Sequence, residues 1–163
     1  MRRIAALTFV VGLLLGVLGM RFLGHSQSAY ATGNCTNQSL VGSYSYLIWD
    51  KFVSAPSGSN PTVTAYVTDG GLMTFDGRGN VTFVAEGSFN GLSQFGPENR
   101  SGSYSVQANC MGSFTMHFDA SPSCCTNHYD FVIVASGREL TIFQRDGGTV
   151  SAGNAIKQGS IES

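Results

Sequence analysis

Residues 72–86, LMTFDGRGNVTFVAE, decide the fold because they contain two alternating segments joined by a tight turn. Apolar and polar side chains alternate on both sides of Asp76–Asn80, which is the pattern of half-buried β-strands. Within the turn, Gly77, Gly79 and Asn80 tolerate the positive φ angles that hairpin connections require. This stretch therefore predicts a β-hairpin.

The chain on either side of this hairpin has the same character, with short segments rich in Val, Thr, Phe and Tyr between Gly, Asn, Asp and Ser. From residue 32 onward, no segment repeats apolar residues at helical spacing. Eight strands are predicted, at about 42–52, 62–76, 80–90, 101–108, 112–119, 128–136, 139–146 and 149–158. Eight sequential antiparallel strands most simply form an up-and-down barrel, and a two-sheet sandwich is the alternative.

Two further features concern the wall and the interior of this barrel. Gly70-Gly71 lies inside the long second strand and favours a bulge or a sharp bend there. Aromatic side chains on the strands are expected to fill the interior, where they pack as a core or line a pocket. They are Tyr44, Tyr46, Phe75, Phe83, Tyr104, Phe114, Phe118, Phe131 and Phe143.

The first 31 residues have the order of a secretory signal. Arg2 and Arg3 precede an apolar run that ends at Met20, and small residues follow as far as Ala31. This order predicts a signal peptide over 1–31, a single barrel domain over 32–163, and a secreted or periplasmic location. Retention of the segment as an anchor is the alternative. The mature chain has no second long apolar run, so no membrane span is predicted in it.

The charge of the mature chain argues against nucleic acid as a partner. The full chain has 9 Lys and Arg against 10 Asp and Glu, and removal of residues 1–31 leaves 6 basic residues and a net charge of −4. Phosphate binding needs clustered Lys and Arg, and no basic run exists. No nucleophile motif, phosphate loop or established metal-ligand spacing is present either, so no cofactor and no metal site are predicted.

The order of the connections predicts what lies at each end of the barrel. In an up-and-down topology alternate connections share an end, so 54–61, 91–100 and 120–127 lie together with the short turn 147–148. We call this end the mouth, and the opposite end, with three short turns, the closed end. Long loops on a rigid scaffold are where ligand binding usually occurs.

The same topology sorts the four cysteines. Cys35 precedes the first strand and Cys110 lies in a short turn, both at the closed end, whereas Cys124 and Cys125 lie in a mouth loop. A strand of eight residues spans roughly 26 Å, and a disulfide needs Cα atoms within about 7 Å. Cys35–Cys110 is therefore the predicted long-range disulfide, and an oxidising compartment would allow it.

Three arrangements remain open for Cys124 and Cys125. They could form a vicinal disulfide, which is strained and more easily reduced. They could be free thiols or bridge two molecules. They could also bind zinc together with His128, although Cys-Cys-x-x-His is not an established zinc-binding spacing.

Candidate ligand-binding residues at the mouth are Trp49, Tyr66, His128, Asp130 and Arg145. Trp49 comes with Asp50 and Lys51 near the end of the first strand. A His beside a carboxylate can act as a general base, and His128 and Asp130 are close in sequence. No catalytic residue is assigned on this basis.

Several segments resemble a broad group of uncharacterised exported bacterial proteins. They are 35–44 (CTNQSLVGSY), 74–82 (TFDGRGNVT), 102–106 with 110–112, 128–134 with 137–140, and 148–153 (GTVSAG), which together cover most of residues 35–158. That group is similar to small calycin-like barrels of the lipocalin or avidin type, so the resemblance implies this fold and export but no activity. Gly42-Ser43-Tyr44 resembles the lipocalin Gly-x-Trp motif with Tyr in place of Trp. Cys124-Cys125 departs from the pattern of the group.

The sequence therefore favours an exported barrel that binds a small apolar or amphiphilic ligand at the mouth. The alternative is a structural or surface-interaction subunit that forms homo-oligomers. A barrel isomerase or cyclase that uses His128 or Asp130 is the least favoured, and the chain is expected not to be an enzyme.

Overall fold

The structure, a computed structural model, describes residues 33–54, 60–118 and 126–159. Eight antiparallel strands pair in chain order, and β1 also pairs with β8, so that the sheet closes into an up-and-down barrel. Their bounds are β1 Gly42–Ser54, β2 Thr62–Phe75, β3 Asn80–Phe89, β4 Leu92–Val106, β5 Met111–His117, β6 Thr126–Val134, β7 Glu139–Gln144 and β8 Thr149–Lys157. The predicted fold class is confirmed, because closure by β1 and β8 excludes a two-sheet sandwich.

Strand alternation divides the wall into an inner and an outer face. On β1, Tyr44, Tyr46 and Ile48 are buried, whereas Ser45 and Leu47 between them are exposed. Phe75, Phe83, Phe114 and Phe131 fill the interior from other strands, and Phe114 stacks on Tyr129 with ring centroids 4.7 Å apart. Phe143 is exposed, contrary to the prediction, because its neighbour Ile142 takes the inward position on β7.

The predicted hairpin between β2 and β3 is confirmed. One carboxylate oxygen of Asp76, Oδ1, accepts hydrogen bonds from the backbone N–H groups of Arg78, Gly79 and Asn80. Oδ2 accepts a further bond from the Asn80 amide. These bonds lower the pKa of the exposed Asp76 carboxyl to about 2, the bonds with Asn80 having the largest effect.

The connection between β3 and β4 is much shorter than predicted. The expected loop 91–100 is instead a two-residue turn, Asn90-Gly91, because β4 already begins at Leu92. Both turn residues have positive φ (51° and 80°), as in a type I′ hairpin turn. Asn90-Gly91 is the sequence that such a turn favours most strongly. The correction brings Arg100 into the barrel wall.

The predicted bulge at Gly70-Gly71 is wrong, since the pairing of β2 with both neighbours runs unbroken through these residues. The irregularity in the β1–β2 pairing lies instead between Phe52 and Val53. Gly71 has φ +146°, and a side chain there would collide with the Val84 carbonyl of β3. A glycine is present at position 71 because β2 and β3 approach each other closely there.

The closed end is covered by the segment that precedes β1. Cys35 and Cys110 form the predicted disulfide, with Cα atoms 5.0 Å apart. A short 3₁₀ turn, Asn37–Leu40, places Leu40 in the core. Asn37 accepts hydrogen bonds from the Tyr104 hydroxyl and from the Val106 backbone N–H. Cys124 and Cys125 lie outside the described residues.

Candidate functional site

The mouth-side half of the interior contains three buried charged residues. Asp50, Asp69 and Arg100 are 6%, 5% and 3% exposed, respectively. Each follows the alternation of its strand, since Asp50 is in phase with Ile48, Asp69 with Met73, and Arg100 with Tyr104. Charged side chains are rarely this deeply buried without a partner, so their contacts indicate what this part of the barrel can do.

Asp69 and Arg100 form an ion pair that crosses the interior from β2 to β4. Arg100 Nη1 donates to Asp69 Oδ2, and the Tyr46 hydroxyl donates to Asp69 Oδ1 at 2.8 Å. Both oxygens of this carboxylate therefore have a partner. Arg100 also contacts Glu98 at 3.3 Å, and its guanidinium lies 4.3 Å from the centre of the Phe118 ring.

Asp50 differs from Asp69 because one of its oxygens is left open. Oδ1 is buried and has no hydrogen-bond partner among the described residues. Burial raises the pKa of the Asp50 carboxyl, and the charge of Asp69 raises it further. The Ser151 hydroxyl, directly opposite on β8, faces the Asp50 carboxyl and partly offsets this rise as a weak donor, but its Oγ does not reach good hydrogen-bonding geometry with any described residue.

Two more polar side chains complete the layer from β6 and β7. Tyr129 and Gln144 are paired across these strands. Burial raises the pKa of the Tyr129 hydroxyl, and the charge of Asp50 adds to the rise, which places Tyr129 within electrostatic range of this carboxylate. Gln144 Nε2 donates to Asp146 Oδ2 at 3.0 Å, whereas its Oε1 is buried without a partner in the described residues.

We call Asp50, Asp69, Arg100, Tyr129, Gln144 and Ser151 the interior polar layer. Below it toward the closed end, the interior is filled with aromatic and aliphatic side chains. Eight-stranded barrels either fill completely or hold one small ligand. Any ligand space inside this barrel must therefore lie on the mouth side of the polar layer, with polar atoms at its floor.

The residues predicted for ligand binding lie on the outer side of the wall. Trp49 and Tyr66 are 56% and 58% exposed, on neighbouring strands, and Lys51 Nζ lies 5.9 Å from the centre of the Tyr66 ring. The structure brings Asp130 and Arg145 together as an ion pair at 3.5 Å, and both side chains are partly exposed. A role of these residues in binding stays a prediction.

His128, also on the predicted list, forms a charge pair at the mouth end of β6. Its Nδ1 lies 2.8 Å from Asp146 Oδ1, and its backbone N–H donates to Asp146 Oδ2. Burial opposes a low pKa for Asp146, but the bonds from Gln144 and His128 outweigh it and lower that pKa. The structure thus links His128 to Gln144 of the interior polar layer through one carboxylate.

Strand alternation extended to polar residues would have found Asp50, one member of the interior polar layer. Asp69 and Arg100 are not among the residues that the sequence predicts for the site, and Asp50 is predicted only to lie near the mouth. On β1, however, Asp50 follows Tyr44, Tyr46 and Ile48 at every second position. A charged residue that shares the parity of core aromatics is the signal of a buried polar group.

The outer face carries a separate apolar groove. Leu47, Leu72 and Val84 are all exposed there, on β1, β2 and β3. They line an open depression of about 500 Å³ together with Thr68, Gly70, Gly71 and Glu86.

In the part of the chain that the structure describes, no three His, Cys, Asp or Glu side chains are grouped to hold a metal ion.

The closed eight-stranded architecture is consistent with a calycin-like barrel. No family model, no curated protein and no solved structure matches this chain. No helix among the described residues is long and apolar enough to cross a membrane.

Proposed function

We propose that this protein is an exported binding protein that holds a small amphiphilic molecule in the mouth-side interior of its barrel. The observation that carries the proposal is the unsatisfied interior polar layer, in which Asp50 Oδ1, Gln144 Oε1 and Ser151 Oγ are buried without partners in the described chain. Buried polar atoms normally have hydrogen-bond partners, which a ligand can supply.

The composition of the interior favours an amphiphile over a purely apolar ligand. An apolar group placed against Asp50 and Ser151 would leave both without hydrogen bonds, at a cost of about 1–3 kcal/mol for each polar group. A molecule with a polar group directed inward and an apolar part toward the mouth avoids this cost. Sites of this kind combine apolar walls with a few placed polar groups.

Export is part of the proposal and is supported by two features. The Cys35–Cys110 disulfide is of the kind that persists in oxidising compartments outside the cytosol. The N-terminal residues have the composition of a secretory signal.

Native mass spectrometry of the unreduced protein, isolated from the cells that produce it, tests the proposal. We expect an excess mass that is lost on denaturation and that belongs to a small organic molecule. A bare chain under conditions that preserve other non-covalent complexes would contradict it.

Self-association is a second candidate function, favoured by the groove on the outer face. Exposed apolar patches on otherwise polar surfaces often mark protein interfaces, and Leu72 and Val84 face each other across β2 and β3 within this one. The occupant would be a second copy of this chain. Sedimentation velocity would then show a dimer that Val84→Lys abolishes and that Ser105→Lys, at an exposed position of β4, retains. A monomer at all concentrations would contradict this function.

A further inference from the structure

Asp50 is the one carboxylate of the interior polar layer whose charge the described chain leaves uncompensated. Asp69 accepts hydrogen bonds at both oxygens from Arg100 and Tyr46, whereas Asp50 Oδ1 accepts none. The side chain of Asp50 is more than nine-tenths buried and faces the interior. A buried ionised carboxylate without a positive partner is unfavourable, so the site either binds a cation or keeps a proton.

The charged groups around Asp50 leave the interior polar layer with an excess of negative charge. Asp69 contributes a second carboxylate from β2, and Arg100 contributes the only guanidinium among the described residues of the layer, where it is bonded to Asp69. Glu98 also contacts Arg100 and adds to the negative side. Among the described residues, the hydroxyl of Tyr129 lies within electrostatic range of Asp50 and that of Tyr46 is bonded to Asp69; burial raises the pKa values of both, so both are neutral.

Two other buried oxygens of the layer, on Gln144 and Ser151, also lack hydrogen-bond partners among the described residues. Ser151 lies directly opposite Asp50 on β8. Gln144 pairs with Tyr129 on β6, whose hydroxyl lies within electrostatic range of Asp50. The pairing of β7 with β8 extends to Ile142 and Gly153, each two residues from Gln144 and Ser151, respectively. Gln144 already uses its amide N–H on Asp146 and has Oε1 left open. Ser151 Oγ can accept as well as donate. A ligand group that is rich in donors would satisfy these oxygens together.

We propose that Asp50, Gln144 and Ser151 bind the ammonium group of a small amphiphilic amine, and this inference rests on the proposed function. An ammonium group offers three N–H donors and one positive charge, which matches three open oxygens and one uncompensated carboxylate. The apolar part of the amine extends toward the mouth. A carboxylate ligand would instead add a further negative charge beside Asp50 and Asp69.

Three probes of similar shape test the inference by isothermal titration calorimetry on the full-length, oxidised protein at pH 7. They are 2-phenylethylamine, 2-phenylethanol and 3-phenylpropionate, which are cationic, neutral and anionic. We expect the amine to bind about tenfold more tightly than the alcohol, the effect of one charge-assisted hydrogen bond. The acid should bind more weakly than both.

Asp50→Asn keeps the shape of the side chain and removes its charge, so it should reduce the affinity for the amine to that for the alcohol. Glu139→Gln removes one charge from the outward-facing side of β7 and is the matched control, for which the affinity should not change. Near-ultraviolet circular dichroism establishes that both variants are folded. The order of the probes on the unmodified protein tests the inference even if Asp50→Asn does not fold.

The outcomes separate this inference from the proposed function. Equal or tighter binding of the alcohol would show that Asp50 keeps a proton, and would overturn the inference while supporting a binding barrel. Preference for the acid would overturn it in the same way. Failure of all three probes would overturn amine recognition, whereas the proposed function would still be decided by the co-isolated mass.

Discussion

The two ends of the barrel treat their buried polar groups in opposite ways. At the closed end, the Tyr44 hydroxyl donates to the Gly137 carbonyl at 2.7 Å and the Tyr104 hydroxyl donates to the Asn37 carbonyl at 3.0 Å. In the mouth-side half, Asp50 Oδ1 and Ser151 Oγ are buried without such partners in the described chain. The chain itself therefore satisfies the buried polar groups of the closed end, whereas it leaves polar groups in the mouth-side half without hydrogen bonds.

This contrast assigns separate roles to the two ends. The closed end combines a disulfide, the inserted Leu40 and satisfied hydroxyls, all of which stabilise the fold. The interior polar layer instead contains buried charges. Their loss of hydration is offset only where well-oriented partners and hydrogen bonds surround them. Residues of the closed end should therefore affect stability without affecting binding, whereas loss of the Asp50 charge should weaken binding and stabilise the ligand-free protein.

The largest expected effect comes from the Asp69–Arg100 pair. Arg100→Met leaves the buried Asp69 carboxylate without its positive partner, and the free energy of unfolding should fall by about 3–5 kcal/mol. Urea denaturation measures this loss. The double variant Asp69→Leu with Arg100→Met should be more stable than Arg100→Met alone. A loss of less than about 1 kcal/mol in the single variant would show that the pair is exposed to water.

The closed end is tested by replacing Cys35 and Cys110 together with Ala. The bridge closes a loop with a sequence separation of 75 residues, and its loss should lower the free energy of unfolding by about 2–5 kcal/mol. Urea denaturation measures this change. Because the bridge is remote from the interior polar layer, the folded variant should retain the co-isolated ligand. Loss of the ligand from a folded variant would contradict the separation of roles.

Asp50→Asn should stabilise the ligand-free protein at neutral pH. Burial raises the pKa of Asp50, so the folded state holds this proton more tightly than the unfolded state does. The stability from this group is complete below its ordinary pKa of 3.8 and is lost as the pH rises through the raised value. The variant should therefore be more stable than the parent protein at pH 7, because it removes a buried charge that has no positive partner among the described residues.

Urea denaturation at a series of pH values checks this expectation, with Glu139→Gln as the control. The pH dependence should become weaker in Asp50→Asn but should not disappear, because burial also raises the pKa of Asp69. A variant that is less stable than the parent at neutral pH would indicate that Asp50 is compensated within the chain.

The smallest effect is expected at the Asp76 turn. Its hydrogen bonds lower the pKa of Asp76 to about 2, so the stability that it contributes is present above its ordinary pKa of 3.8 and is lost as the pH falls through about 2. Asp76→Asn should therefore lower Tm slightly at pH 7, and the difference should narrow at acid pH. Thermal denaturation followed by circular dichroism measures it. A constant difference at all pH values would exclude the charge as its cause.

Much of the fold could be predicted because strand alternation and turn chemistry are local. Asp76–Asn80 specifies its hairpin through residues that are adjacent in sequence, and the order of the strands leads to the Cys35–Cys110 pairing. The β3–β4 connection was mispredicted although its signal, Asn90-Gly91, is equally local. Gly96 and Pro97, inside the residues assigned to a loop, are uncommon in strands, yet β4 includes them.

The site was harder to predict because burial of a charge depends on partners that are distant in sequence. Arg100 lies inside the barrel beside Asp69, 31 residues away, and Phe118, and no local pattern links the three. The exposed positions of Trp49 and Tyr66 follow from alternation, but their aromatic character suggested a pocket. Strand alternation predicts whether a side chain faces the interior or the solvent. Which charged side chains contact each other across the interior depends on the closed sheet.

The most direct test of the central claim compares two substitutions of the same kind at adjacent residues on opposite faces of β8. Ser151→Phe fills the mouth-side interior opposite Asp50, and Ala152→Phe adds a ring to the exposed outer face beside Trp49. Native mass spectrometry measures the ligand mass that is retained by each unreduced, folded variant. We expect Ser151→Phe to be empty and Ala152→Phe to be loaded like the parent protein. A loaded Ser151→Phe with an empty Ala152→Phe would place binding on the outer face and contradict binding inside the barrel.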